Sequence, residues 1–498
     1  MTRASLGRTA TLVAMASLGL SACAVGPDYH RPQAQLAPFH SLAAVQRTQD
    51  GRAIPPLDHW WTGFDDPELV TIVQRALAQN LDLAAALARV RQARGVAAGA
   101  GANLLPTFDL NSGVTAERLS EYGPFSYYAN GFPGFHRDQR EFTVGPAASW
   151  EIDLFGGLRR AAAAARAEEE AAESDNAGVR VSVAADAADA YLQIRGLQAQ
   201  IDVTQNQIET DDHLVRLTAF RRSAGQGTDR EVAQAEALLH DAQATLPDLR
   251  IALEAQMNRL DVLMGAQPGT YARELSVPGA IPSVPAIGDA DRPADMLRRR
   301  PDVIAAERRL AASNERIGEA IADYYPKISL SGALGFDSLR ANHFLSAKAF
   351  QPAGSGALRW RLFDFGKVAA EVTQARGASA EALAQYRQTV LRAAEDVENA
   401  LSALAETQIR VQRLNEEVAS LERARTLSEV AFKAGSITLT DVLDADRQLL
   451  VARNALDATR ASAARSAVGA YRALGGGWDI GGQEHVAAAA PIAASKHL

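Results

Sequence analysis

Asp441 and Asp444 stand three residues apart in a stretch with helical patterning, so their carboxylates share one helix face. Two carboxylates on one face make that face locally anionic. The same segment has a plainer use. Thr438-x-x-Asp441 fits a capping box, as does Thr228-x-x-Glu231, and acids in a first helical turn suit the macrodipole. One residue can serve both ends. Catalytic chemistry finds no support: the nine histidines are scattered without an H-E-x-x-H arrangement, and Cys23 is the only cysteine. No glycine loop of phosphate-binding spacing precedes a helix, and Gly475-Gly476-Gly477 punctuates the end of one. Neither a metal site nor a cofactor is expected, and the chain does not read as an enzyme.

Cys23 carries a different chemistry. Arg3 and Arg8 give a basic start, Thr11 to Leu20 an apolar stretch, and Leu20-Ser21-Ala22-Cys23 the end of a targeting segment. The last four residues resemble a bacterial lipobox, which implies cleavage before Cys23 and covalent lipid on that residue. An ordinary signal peptide with an incidental cysteine is the other reading. Ala24 stands where an aspartate would signal retention at the inner membrane, so the outer membrane is the expected destination. A single thiol, spent on lipid, suits an envelope protein that uses no disulfides.

The elements around these residues come in two sets. Trp150 to Gly156 (WEIDLFG) answers Trp360 to Gly366 (WRLFDFG), and Ala224-Gly225 answers Ala434-Gly435, all offset by 210 residues. Upstream, Asp82 answers Asp302 and Pro106 answers Pro326 at an offset of 220, so ten extra residues lie between Pro106 and Trp150. A repeat of about 200 residues is too long for a solenoid unit and reads as an internal tandem duplication of half a domain. The extra residues, rich in Tyr, Phe and Gly around Tyr122 to Phe135, read as an enlarged loop.

Within each repeat the patterning alternates between period 2 and period 3.6. Strands are expected at about 106–118, 140–154, 326–337 and 355–364, each with one apolar and one polar face. Phe108, Leu110, Val114, Trp150, Leu330 and Trp360 mark the apolar face; Asp109, Asn111, Ser149, Glu151, Ser331, Arg359 and Arg361 mark the other. That division suits lipid outside and water inside. Long proline-free helices are expected at about 157–223 and 367–434, roughly 100 Å each at 1.5 Å per residue. Shorter helical runs are expected at about 66–102, 229–264, 294–322 and 440–474, with Gly225 and Gly435 as the turns between long and short. Abundant alanine and only 6% aromatics favour close packing along small-residue seams. A net charge of −8 gives no general attraction to nucleic acid. After the N-terminus no run of 18 apolar residues occurs, so no transmembrane helix is expected.

Four strands cannot sit in lipid as an open sheet, because the edge N–H and C=O groups would lack partners. A bacterial barrel needs at least eight strands, so a spanning barrel must be shared among subunits. Two copies give eight strands and three give twelve; neither is preferred on these grounds.

The ordered set of motifs resembles the TolC-like outer membrane factors, in the lipoprotein (NodT) branch paired with RND-type efflux pumps. Carrying the resemblance are the lipobox, Trp60-Trp61, Asp66-Pro67-Glu68-Leu69, Asn80-Leu81-Asp82-Leu83, Arg300-Pro301-Asp302-Val303, Tyr325-Pro326, Phe363-Asp364-Phe365-Gly366 and Asp441-Val442-Leu443-Asp444-Ala445. Together they cover nearly the whole chain from Cys23 to Trp478. The resemblance implies an α+β membrane protein, a homotrimer with a twelve-stranded outer-membrane β-barrel. Long antiparallel helices would form an α-barrel crossing the periplasm. It further implies a passive duct, docked to a periplasmic membrane-fusion adaptor and an inner-membrane RND pump. Asp441 and Asp444 then match aspartates that form the periplasmic gate, and the turns at Gly225 and Gly435 match the adaptor-docking tips. Some relatives close the tip with an arginine two residues past the turn glycine; Ile437 stands there, so no ionic lock is assigned. Arg359 and Arg361 are expected in the barrel lumen, and Trp150 and Trp360 in an interfacial girdle.

The expected organisation is a lipoprotein signal peptide at 1–22, a lipidated extended segment at 23–65, repeats at 66–290 and 291–478, and a disordered tail at 479–498. Export of small molecules is the expected function. A type I protein secretion duct is the alternative within transport, and a structural envelope lipoprotein the alternative outside it. The four alternating strands argue against a strut, which needs no wet interior.

Overall fold

A single register rule organises the β-structure. The sheet is an antiparallel meander in the order β1-β2-β3-β4, with β1 at Thr107–Arg118, β2 at Asp138–Ile152, β3 at Lys327–Ser338 and β4 at Phe350–Arg359. Phe108 faces Ala148, Trp150 faces Leu330, and Ile328 faces Leu358. Every pairing joins residues of like parity, even to even and odd to odd, so all even positions share one face and all odd positions the other. The two hairpins have the same register: Thr107 opposite Ser149 becomes Lys327 opposite Arg359 at offsets of 220 and 210.

The structure, a computed structural model, describes residues 24–32, 37–41, 45, 54–120, 122–123, 136–287 and 298–479. Cys23, the signal peptide, most of the first hairpin's loop and the tail from 480 lie outside the described residues. The helices are α1 Pro67–Gln79, α2 Leu81–Ala102, α3 Gly157–Ser223, α4 Asp229–Leu263, α5 Ala272–Leu275, α6 Pro301–Ala322, α7 Lys367–Lys433 and α8 Leu439–Ala473. Paired lengths recur: 22 residues for α2 and α6, 67 for α3 and α7, and 35 for α4 and α8. No described helix is long and apolar enough to cross a membrane.

The chain forms two compact units, each drawing on both halves of the sequence. One takes residues up to Pro32, Arg91–Ala171 and Glu307–Gln385, and holds the whole sheet. The other takes Gln33–Val90, Ala172–Ala306 and the chain from Tyr386 onward. In this second unit Trp60, Trp61, Phe64, Leu69 and Ile72 are fully buried, with the Trp60 ring stacked on Tyr471 at 5.4 Å. Burying Leu69 or Ile72 contributes about 1.5–3 kcal/mol each. The alanine seam is real: a Cβ built on Gly196 of α3 would lie 2.5 Å from the Cβ of Ala461 of α8, so the helices pack where only hydrogen fits.

Several expected bounds move. β4 runs from Phe350 to Arg359 rather than 355–364; its ladder with β3 ends at Lys327 opposite Arg359, leaving Trp360, Arg361 and Leu362 outside the strand. The helix expected from 66 to 102 is two helices, because Asn80 takes an extended conformation (ψ 130°) between α1 and α2. α6 starts at Pro301, since residues 298–300 are not helical. The segment expected to be extended up to residue 65 closes with a 3-10 helix, Leu57–Phe64, which carries the buried tryptophans.

Candidate functional site

The two faces of the sheet differ in what they offer. The even face presents Phe108, Leu110, Val114, Trp150, Leu330, Leu334, Phe350 and Leu358, all exposed although apolar; Phe108 and Leu110 are 74% and 75% accessible. A row of exposed apolar side chains along one face is of the kind that meets lipid or another protein. The odd face carries Asp109, Asn111, Glu117, Glu141, Ser149, Glu151, Lys327, Ser331 and Arg359, with Ser331 and Ser355 joined by a hydroxyl hydrogen bond of 3.2 Å. A sheet greasy on one side and hydrated on the other can separate lipid from water.

Both tryptophans at the strand ends are anchored alike. The Trp150 indole donates to the carbonyl of Leu104, and the Trp360 indole to that of Tyr324, each at 3.0 Å. Arg359 is the last residue of β4, on the odd face. Arg361 is not on a strand: its guanidinium lies 3.7 Å from Asp323 and 3.9 Å from Glu371. A cleft of about 480 Å³ opens beside it, lined by Glu151, Arg316, Glu319, Asp323, Lys327 and Glu371 among others.

The two turns between long and short helices are built alike. Gly225 and Gly435 sit at φ 72° and 74°, the left-handed region that glycine reaches without strain. At the first, Gln226 N–H donates to Arg221 C=O and Gly225 N–H to Arg222 C=O; at the second, Ser436 donates to Ala431 and Gly435 to Phe432. These are Schellman closures, which satisfy the last carbonyls of α3 and α7. Each following helix opens with a capping box, Thr228 with Glu231 and Thr438 with Asp441. The Arg221 guanidinium lies 4.8 Å from the Phe432 ring centroid, linking the two turns by a cation–π contact. Arg222 pairs with Asp229 across its own turn.

The paired aspartates divide their work. Asp441 accepts from the Thr438 hydroxyl at 2.6 Å and from its N–H at 2.8 Å, and these bonds hold its carboxyl below the usual range. Asp444, one turn on, is exposed; it accepts from the Gln448 amide at 2.6 Å. Its other oxygen sits 3.5 Å from Arg447. Asp441 is thus tied to its own cap, whereas Asp444 is held only by side chains further along its helix.

A third acid escaped the sequence reading. Asp446 is buried on the same helix, accepting from Arg425 of α7 at 2.5 Å, while Arg425 also pairs with Glu429 at 2.9 Å. Burial lifts the Asp446 carboxyl, with Arg425 pulling the other way. Buried Asp211 of α3 accepts from Gln207 at 2.8 Å; burial raises it to about 6, with Asp446 adding repulsion. The signal was present: Asp446 lies on the helix face shared by Val442, Leu443 and Leu449, which are buried.

Other motif residues are structural. Arg300 reaches Asp302 and Asp396 at 2.8 and 2.9 Å and the Ala473 carbonyl at 3.0 Å. Asn80 holds the corresponding place in the first half, donating to Leu263 C=O at 2.9 Å. Asp66 caps α1 and accepts from Tyr191, and Glu68 pairs with the buried guanidinium of Arg195. Among the described residues no His, Cys, Asp or Glu group is arranged to hold a metal ion.

Comparison with known proteins agrees with this geometry. The family model for outer membrane efflux proteins matches residues 72–266 and 293–476. The pyoverdine export outer membrane protein OpmQ of Pseudomonas aeruginosa is 32% identical over 419 residues, spanning 84% of this chain and 87% of that one. Nodulation protein T of Rhizobium leguminosarum bv. trifolii is 29% identical, over 88% and 91%. Among solved structures, the outer-membrane channel OprN superposes with a TM-score of 0.84 at 33% identity, covering 92% of this chain and all of that one.

Proposed function

The chain belongs to the outer membrane efflux protein family, and on that premise we propose that it is the passive outer-membrane duct of a tripartite efflux system. Three copies would close a twelve-stranded barrel in the outer membrane and continue it as a periplasmic α-barrel. Small molecules would arrive from an inner-membrane RND pump through a periplasmic adaptor. The observation that carries the reading is the division of the sheet: apolar even face, polar odd face, and outer edges on β1 and β4 that no strand among the described residues pairs. A strut between membrane and cell wall has no use for such a surface. Tandem duplication accounts for the equal helix lengths and the shared hairpin register, with repeats at 66–290 and 291–478.

In this reading Asp444 projects into the duct and, repeated by symmetry, narrows it with carboxylates, while Asp441 serves first as a helix cap. The turns at Gly225 and Gly435 receive the adaptor. Arg359 faces the barrel lumen, Arg361 lies at its periplasmic rim, and lipid on Cys23 tethers the chain. Relatives named for pyoverdine export and for nodulation share this frame, so cargo choice is assigned to the pump.

Release of entrapped ions and small dyes from proteoliposomes containing the full acylated protein tests the proposal. Release without any energy source, lost above a size limit, is the expected result. Vesicles that stay sealed although the trimer has inserted would return the structural lipoprotein to the front.

A further inference from the structure

Residues 24–31 run as an irregular strap along α3 and α6, all within the unit that holds the sheet. Buried Arg160, in the first turn of α3, clasps it. Its Nε donates to the Val25 carbonyl at 3.3 Å, and its Nη2 to Asp28 at 2.9 Å and the Gly26 carbonyl at 3.5 Å. Its Nη1 donates to Glu315 of α6 at 2.8 Å. Asn314 of α6 donates to the Pro27 carbonyl at 3.0 Å, and the Tyr29 hydroxyl to buried Glu307 at 2.5 Å. Tyr29 packs on Ala164 and Ala167 of α3 and Ala311 and Ala312 of α6.

Glycines let the strap lie this close. A Cβ on Gly26, which sits at φ 98°, would fall 2.4 Å from the Cα of Gly318 in α6. A Cβ on Gly156 would fall 3.0 Å from Ala24. At the strap's front end the Val25 N–H donates at 3.1 Å to the carbonyl of Phe155, just past the last residue of β2, Ile152.

The duplicated positions could not hold such a strap. Carried forward 210 residues, Arg160 becomes Ala370; carried back 220, Glu307, Glu315 and Gly318 become Leu87, Gly95 and Ala98. The cation, both acids and the glycine crossing are all lost, so only one of two equivalent helix pairs is equipped. Stapling two helices together needs no particular address. This strap has one: it begins at the residue after Cys23 and docks where β2 ends, beside the Trp150 end of the apolar face.

We propose that Arg160 is a positioning residue for the lipid anchor, clamping the strap so that acyl chains on Cys23 enter the bilayer beside the foot of β2. This rests on the reading of Cys23 as lipid-bearing and gives that lipid a place. Two peptide units join Cys23 to Val25, so the clasp confines the acylated residue to within about 7 Å of Val25. With the strap released as far as Tyr29, six residues reach about 20 Å, and the lipid would range over a patch several times wider.

The test feeds cells expressing the full-length protein a palmitate analogue with a photoreactive diazirine near its carboxyl end. The membranes are irradiated, and mass spectrometry maps the cross-links made by the acylated N-terminal peptide. They should fall on residues 104–107 and 150–155 several-fold more often than elsewhere on the strands. Arg160→Gln should reduce that preference several-fold. Asp28→Ala, at an exposed side chain that leaves the helices intact, should reduce it in the same direction and guards against misfolding of the first variant. Cross-links spread evenly over the strands of the wild type, or a preference unchanged in both variants, overturn the clasp and leave the lipid reading standing. An N-terminal peptide whose mass carries no acyl chain overturns both.

Discussion

Arg425 and Asp446 join the two arms of the second helical turn, the guanidinium of α7 donating to a carboxylate buried on α8 at 2.5 Å. Truncating the cation leaves a buried acceptor without its donor. Arg425→Gln should lower stability by about 1–3 kcal/mol near neutral pH. Thermal unfolding of the detergent-solubilised protein checks this, and an unchanged midpoint would make the pair incidental.

Asp211 should make stability pH-dependent in an unusual direction. Its carboxyl is raised from 3.8 to about 6, burial being the main cause and Asp446 the charged neighbour, with Arg425 and Glu429 beyond. A raised acid contributes stability that is complete below the unfolded value and is lost as pH climbs through the folded one. Asp211→Asn should therefore gain on the wild type between about pH 4 and 7, by at most about 3 kcal/mol. The difference in unfolding midpoint, followed across that window, should rise; a flat difference contradicts it.

The two faces of β1 should respond oppositely to the same charge. Leu110→Arg places a cation on the apolar face and should cost about 2–4 kcal/mol if that position lies near the bilayer midplane. Asn111→Arg, one residue on, should be tolerated and should shift ion preference toward anions. Yield of folded trimer and reversal potential separate the two, and equal damage from both would deny the facial division.

Thr438 and Asp444 separate capping from lining. Thr438→Ala removes the cap hydroxyl and should loosen the first turn of α8 by about 1 kcal/mol, seen as faster amide exchange there. Asp444→Ala should leave exchange unchanged. Loss of protection in the second variant would make Asp444 a structural residue.

Arg300 should be hard to replace. It is buried, and its donors serve two carboxylates and the carbonyls of Ala393 and Ala473. Arg300→Lys keeps the charge but not the planar fork, so it should recover little of the stability lost in Arg300→Ala.

Where the sequence carries a strong local signal, fold and expectation coincide. The proline-free run Gly157–Ser223 is one helix end to end, and both turn glycines have positive φ. β4 was displaced because Pro352, Gly354 and Gly356 blank out the apolar alternation that Leu358, Trp360 and Leu362 display. That alternation is real, but among the described residues no strand pairs with β4 on its outer side to express it. The break at Asn80 has a local part, its side chain accepting from the Leu83 N–H as an N-cap, and a distant part, its amide donating to the carbonyl of Leu263, which the run of helical patterning around it obscured. Asp211 and Asp446 lie on helices far apart in sequence, so their approach was likewise illegible.

The measurement that bears most directly on the duct is single-channel conductance in a planar bilayer, wild type beside Asp444→Ala. Small, cation-preferring currents that grow or lose selectivity in the variant are the expected result. Correctly inserted trimers of both proteins that pass no current, or identical currents from the two, would contradict a conduit narrowed at Asp444.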